Sequence, residues 1–363
     1  MALNSLTNPL QKQYQEFWNW FQKYQETFYQ AVKTEQNIDE DFFSKLSPKL
    51  DAIKEGIFYL SGMLDEDTAE LVLTADGSLL NIAFVEDLVE TAPNLKDWKF
   101  TALKPAMENE DFTINMGDLS FGKHNIHFYP IEHSDYPDRV DLCFIYENFE
   151  EENVEESNNG IYLFLDNFLG ELEFATQIDN VQIVSPHEVE PTQELIPISK
   201  LKAYLNWRNT EFVEKYEGLQ YDTENDDYGT LEQEFESGDK LYAVIDTTLL
   251  NWDATASHPW MATITFKYEG VNGMPNENQY EKLELIHGEM MAALPDFEGY
   301  LMVCRVTSRN DRDVFLACKD FRKPSKVFYE LSQKYGLEFE IEYQISKDKY
   351  WQALDYFRSF QDQ

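Results

Sequence analysis

Seven cations crowd one stretch of an otherwise anionic chain: Arg305, Arg309, Arg312, Lys319, Arg322, Lys323 and Lys326, against three acids between the same limits. Guanidinium forks match carboxylates and phosphates in two-point geometry, and lysine adds a point charge. Arg305, Arg309, Arg312, Arg322 and Lys323 are therefore the candidate residues for binding an anion or a partner. The plainer expectation is that the patch docks the C-terminal domain onto the acidic remainder of its own chain. His124, His127 and His133 fall close together. On a strand, positions 127 and 133 share a face and 124 does not, and no cysteine or further histidine pair completes a tetrahedral set. No metal is expected. His258 and His287 stand alone and read as packing residues. The spacing Asp222-x-Glu224-x-Asp226 lacks the glycine and distal glutamate of a calcium loop. No GxSxG, Walker-type loop or GxGxxG occurs, and no nucleophile stands near a base. The sequence thus nominates no catalytic residue and no cofactor.

Charge narrows the partners. The 68 carboxylates outnumber 29 Lys and Arg, for a formal net charge of −39. Such a surface repels phosphate backbones and anionic headgroups, so nucleic acid and membrane are not expected partners, and a basic protein is the favoured complement. The start, Met1-Ala-Leu-Asn-Ser-Leu-Thr, lacks the basic and apolar regions of a secretory signal, and no apolar run is long enough to span a bilayer. Three cysteines without a CxxC fit a reducing compartment. The expected location is cytoplasmic.

The elements that must carry these residues are readable from period and punctuation. A chain of 363 residues exceeds one ordinary core, so two domains are expected: 1–216, then an acidic linker or loop over 217–239, then 240–363. The linker reading rests on nine carboxylates with no Lys or Arg. Tyr14, Phe17, Trp18, Phe21, Tyr24 and Phe28 recur at helical spacing. Ser47-Pro48 reads as an N-cap and first-turn proline. A strand hairpin, an amphipathic helix and a returning strand then occur twice, from Ile57 to about Ala106 and from Tyr300 to about Asp348. With a strand over Thr263–Tyr268 and a helix through Leu283 and Met290 ahead of it, the second copy gives β-α-β-β-α-β, a ferredoxin-like order. The fold class is α+β, with antiparallel sheets covered by helices on one face and a related hairpin-helix-strand core in the N-terminal domain. Pairing Arg309 with Asp313 would place Cys304 directly across from Cys318 as two buried, reduced thiols.

Residues from about Leu241 to Phe357 resemble the bacterial domain-of-unknown-function family 695. The carrying segments are Ile264-Thr-Phe-Lys-Tyr, Arg305-Val-Thr-Ser-Arg-Asn-Asp-Arg-Asp-Val-Phe and the tail Ser346-Lys-Asp-Lys-Tyr-Trp-Gln-Ala-Leu-Asp-Tyr-Phe. That resemblance implies no activity and no site residues. The same region is similar in outline to ferredoxin-like inhibitors of ribonuclease E of the regulator-of-ribonuclease-activity B type, an analogy of fold only. The expected function is a protein-protein interaction module (adaptor, inhibitor or immunity-type) acting through an acidic surface. The alternative is an enzyme or small-molecule binder with a cleft between the two domains.

Overall fold

The computed structural model describes residues 7–109 and 111–359. The chain divides into two compact units, one spanning Gln13–Lys215 and the other carrying the chain from Tyr216 onward together with the described residues before Gln13. Both are α+β.

Helix α1 (Thr7–Thr34) contributes its residues from Gln13 onward to the first unit. Its aromatic stripe is buried at Tyr14, Phe17, Trp18, Phe21 and Phe28, whereas Tyr24 stays exposed. Next come a wide helical turn over Asp39–Phe43 and α2 (Ser44–Asp51). Ser47 is therefore not an N-cap, and Pro48 lies inside the helix. Asp39, Glu40 and Asp41 occupy the true start, where the helix dipole favours carboxylates. Burial of Phe42 on the same run anchors that earlier beginning.

Strands β1 (Phe58–Met63) and β2 (Ala69–Thr74) form an antiparallel hairpin, and α3 (Leu79–Glu90) leads to β3 (Trp98–Ala102), parallel to β2. Phe21 of α1 packs edge-on against Trp98 and Phe100, with ring centroids 5.0 and 5.2 Å apart. The hairpin of β4 (Thr113–Met116) and β5 (Leu119–Gly122) follows. Then come β6 (Ile126–Ile131), β7 (Asp141–Tyr146), α4 (Val154–Leu169), α5 (Glu171–Gln177) and β8 (Asn180–Val184). The short β9 (Ile196–Pro197) and α6 (Leu201–Tyr216) close this part of the chain. Strand β8 runs parallel to β7, so the hairpin-helix-strand arrangement occurs twice within this unit. The sheet order is β8-β7-β6-β9 over a core that includes Phe128, Phe144, Phe164 and Phe168. One buried carboxylate ties the two copies together. Glu171 accepts from Thr74 Oγ1 (2.6 Å), Ala75 N (2.9 Å), Gly77 N (3.0 Å) and Lys104 N (2.9 Å).

In the second unit the segment expected to be a linker is partly a strand. β10 (Tyr228–Glu234) pairs antiparallel with β11 (Lys240–Asp246), the hairpin turning through Ser237-Gly238. Leu231 reaches a core cluster while the acids alternate outward, so a half-buried edge strand satisfies a run whose net charge resembled a linker's. Next come α7 (Thr247–Leu250), β12 (Trp260–Lys267), α8 (Glu277–Ala293), β13 (Tyr300–Ser308) and β14 (Asp311–Cys318). Then α9 (Arg322–Tyr335), β15 (Glu340–Lys347) and α10 (Asp355–Arg358) complete the unit. The sheet order is β10-β11-β13-β14-β12-β15, antiparallel throughout. Trp351, Leu354 and Phe357 join the core on the face that also receives Leu241, Ala243 and Cys304.

The β13–β14 register differs from the expected one. Arg309 and Asn310 both have positive φ, 50° and 71°, so the turn is two residues long and Ser308 faces Asp311. A bulge follows at Val303. Cys304 consequently lies opposite Phe315, and Cys318 opposite Tyr300. Side chains of β14 alternate, so the two thiols point to opposite faces. Both are buried and free, and burial raises each thiol's pKa, Cys304 to about 12.

Candidate functional site

The basic residues do not gather at one place. Arg305 Nη1 reaches both oxygens of Glu284 at 3.1 Å, and Arg312 Nη1 reaches the same carboxylate at 2.8 Å. Arg312 also donates through Nε to Thr307 Oγ1 (3.0 Å), and its guanidinium lies 5.2 Å from the Tyr280 ring. It is only 3% exposed. Burial opposes charge on Glu284, yet Arg305 and Arg312 together hold its carboxyl below the ordinary glutamate range. The other candidates are held elsewhere. Arg309 sits over Phe235 at 4.2 Å, Arg322 pairs with Asp320 at 3.0 Å, and Lys323 pairs with Glu298. Arg305 and Arg312 line a cleft of about 410 Å³ with Tyr242, Glu277 and Tyr280. Glu284 and Glu277 together balance the two guanidiniums, so the cleft carries no excess formal charge.

A second cavity, of about 400 Å³, opens farther along the same helix. Asp226, Tyr228, His287 and Asp296 line it, with Leu249, Met291, Leu301 and Met302 as apolar wall. The β10–β11 register sets Tyr228 opposite Asp246, which brings the acid at the foot of β11 to the acids just before β10. Asp246 caps α7, its Oδ1 accepting from Leu249 N at 2.9 Å. Its Oδ2 is buried and receives no hydrogen bond. Burial, then the neighbouring Asp226, push its carboxyl up to about 7. Asp226 accepts from the Tyr221 hydroxyl at 2.8 Å, and Asp296 accepts from Phe297 N at 2.7 Å and from Thr223 Oγ1. Burial lowers the pKa of His287, with Arg305 the next cause, and its Nδ1 has no partner.

The remaining nominated residues are structural. His133 bonds Asp141 at 2.8 Å, and His127 approaches Glu147 at 3.7 Å. Among the described residues no three His, Cys, Asp or Glu side chains come together as a metal ion would require. Ser257 and His258 were not nominated as a pair, yet Ser257 Oγ lies 2.9 Å from His258 Nδ1. That hydroxyl donates to Ala254 O, burial pushes the imidazole down to about 3, and neither residue lines a described cavity. The pair lacks the exposed nucleophile and titratable base of acyl transfer.

Residues 241–359 match a family of unknown function, DUF695. No curated protein matches the chain. The DUF695 segment contains Asp246, Glu284, His287, Asp296, Arg305 and Arg312, whereas Asp226 and β10 precede it. The cavity near His287 is thus built from the DUF695 segment and from an acidic ribbon outside it. Asp246, Asp296 and Glu284 escaped sequence reasoning because 68 acids make any pair unremarkable, and Asp226 was weighed only as part of a calcium-loop spacing. The available signal was Ser237-Gly238-Asp239, a turn that folds 226 back onto 246.

Proposed function

We propose that the chain is a cytoplasmic protein-interaction module that binds a basic partner through an acidic surface centred on β10. One observation carries this reading: nine carboxylates over 217–239, with no Lys or Arg, flank and occupy an ordered strand at the end of a six-stranded sheet. Edge strands offer unpaired backbone groups to another strand. Acidic side chains repel a second copy of the same edge and favour a strand that brings cations. In this reading the C-terminal unit is a ferredoxin-like domain. The order β13-β14-β12-β15 with α8 and α9 as crossovers is that of a split βαβ sandwich, and β10 and β11 extend it by two strands. The Arg305–Arg312 cleft, whose guanidinium forks are already engaged by Glu284, is a secondary contact for a polar group on the same partner.

The test is affinity capture from the host with the native chain and with a Glu232→Lys/Glu234→Lys bait. A reproducible basic partner held by the first and lost by the second is the expected result. No partner, or one retained equally by the charge-reversed bait, contradicts the reading.

A further inference from the structure

We propose that the cavity lined by Asp226, His287 and Asp296 is a recognition pocket for an organic cation, the ammonium or guanidinium head of a basic side chain. The identity of the side chain's owner rests on the interaction reading above. The pocket itself rests on its own geometry.

Its volume, about 400 Å³, is many times the roughly 30 Å³ that a water occupies, so it has room for a chain of carbons as well as a charge. The walls are divided accordingly. Leu249, Met291, Leu301 and Met302 offer apolar surface for an alkyl stem, and Asp226 and Asp296 supply negative charge at the polar end. Neither carboxylate, nor Asp246 behind them, forms an ion pair with a Lys or Arg among the described residues; their donors are Tyr221, Thr223 and backbone amides. Two buried positions are also left without partners. Asp246 is 0% exposed with Oδ2 unbonded and set against Asp226, and His287 Nδ1 at the cavity wall is unused. His287 lines the cavity, so a donor-rich cation there can answer its unpartnered nitrogen, whereas Asp246 lies behind the wall and acts on the ligand through its charge. An anion is excluded by the sign of the wall, and a bare metal ion by the absence of a three-ligand group among the described residues.

A proton takes part in the exchange. Burial, with Asp226 beside it, raises the Asp246 carboxyl to about 7. Tyr221 and Tyr228 near β10, Asp296, and His287 on α8 are the other titratable groups that face the pair. A cation entering beside Asp226 favours the ionised form of Asp246 and displaces its proton. Affinity therefore rises with pH through neutrality.

The experiment is a ligand-observed NMR titration of the full chain with N-acetyl-lysine-N-methylamide, its uncharged norleucine analogue and spermidine. Saturable binding of the lysine probe in the roughly millimolar range is expected, with the norleucine probe at least about tenfold weaker. Asp296→Asn, and Met291→Trp, which fills the cavity without touching a carboxylate, should each weaken the lysine probe at least about tenfold. Affinity should fall several-fold from about pH 8 to about pH 6, and less in Asp246→Asn. Equal binding of the norleucine probe, unchanged affinity in both variants, or no saturation overturns the pocket. Spermidine binding tighter than the lysine probe overturns the assignment to a protein side chain. If the probe binds and lysate capture fails, only the partner reading falls; if capture through β10 succeeds and the probe does not bind, only the pocket falls.

Discussion

Arg312 keeps its charge where water scarcely reaches because Glu284 and Thr307 take its nitrogens and Tyr280 covers its face. Removing one partner of such a group costs more than the pair is worth, since the remaining charge stays buried. Glu284→Gln should therefore lower stability by about 1 kcal/mol near neutral pH, after screening of this partly exposed carboxylate. Glu284→Gln/Arg312→Met should recover part of the loss. The pH dependence has a definite sign. The folded pKa of Glu284 is depressed, so its contribution is complete above the unfolded carboxylate range and fades as pH falls through the folded value. Urea titrations above and below that range check both statements. Glu171 is the sterner case: four donors converge on two buried oxygens, and Glu171→Gln turns an amine toward two of them. A loss of about 3 kcal/mol is expected in the same assay. Nothing in the sequence around Glu171 marks it, because its donors come from residues 74–77 and 104.

Among the elements, the β13–β14 hairpin shows where reading by pattern stops. The alternation of apolar residues located both strands, but it is compatible with more than one register, and only the turn decides between them. Arg309 and Asn310 with positive φ make that turn, and Asn310 secures it by accepting from Gly270 N at 3.1 Å. Asn310→Ala removes both the side-chain bond and a residue type tolerant of this backbone, and should cost about 1–2 kcal/mol in thermal denaturation. A loss under a few tenths would mean the turn does not fix the register. Helices α3, α8 and α9 were legible because each presents an apolar stripe and ends near a proline or glycine. β10 was not, since its charge concealed a single inward row, and β4 and β5 were too short to show a period. In the second hairpin-helix-strand copy of the first unit the apolar periods mark the strands and the helix, and Gly170 at φ 87° separates α4 from α5.

For the molecule as a whole, composition set the sign of the surface and the fold class, while the placement of charge had to come from folding. A formal charge of −39 describes the whole chain; the sheet puts part of it on one edge strand and around one cavity. Among the described residues no helix is long and apolar enough to cross a membrane. In the proposed function β10 is where another chain binds. Hydrogen exchange of the full chain, with and without the captured partner, tests it most directly. Slowed exchange across Tyr228–Glu234, reversed by high salt, is the expected result; protection confined to residues outside 217–239, with that ribbon exchanging as in the free chain, would contradict it.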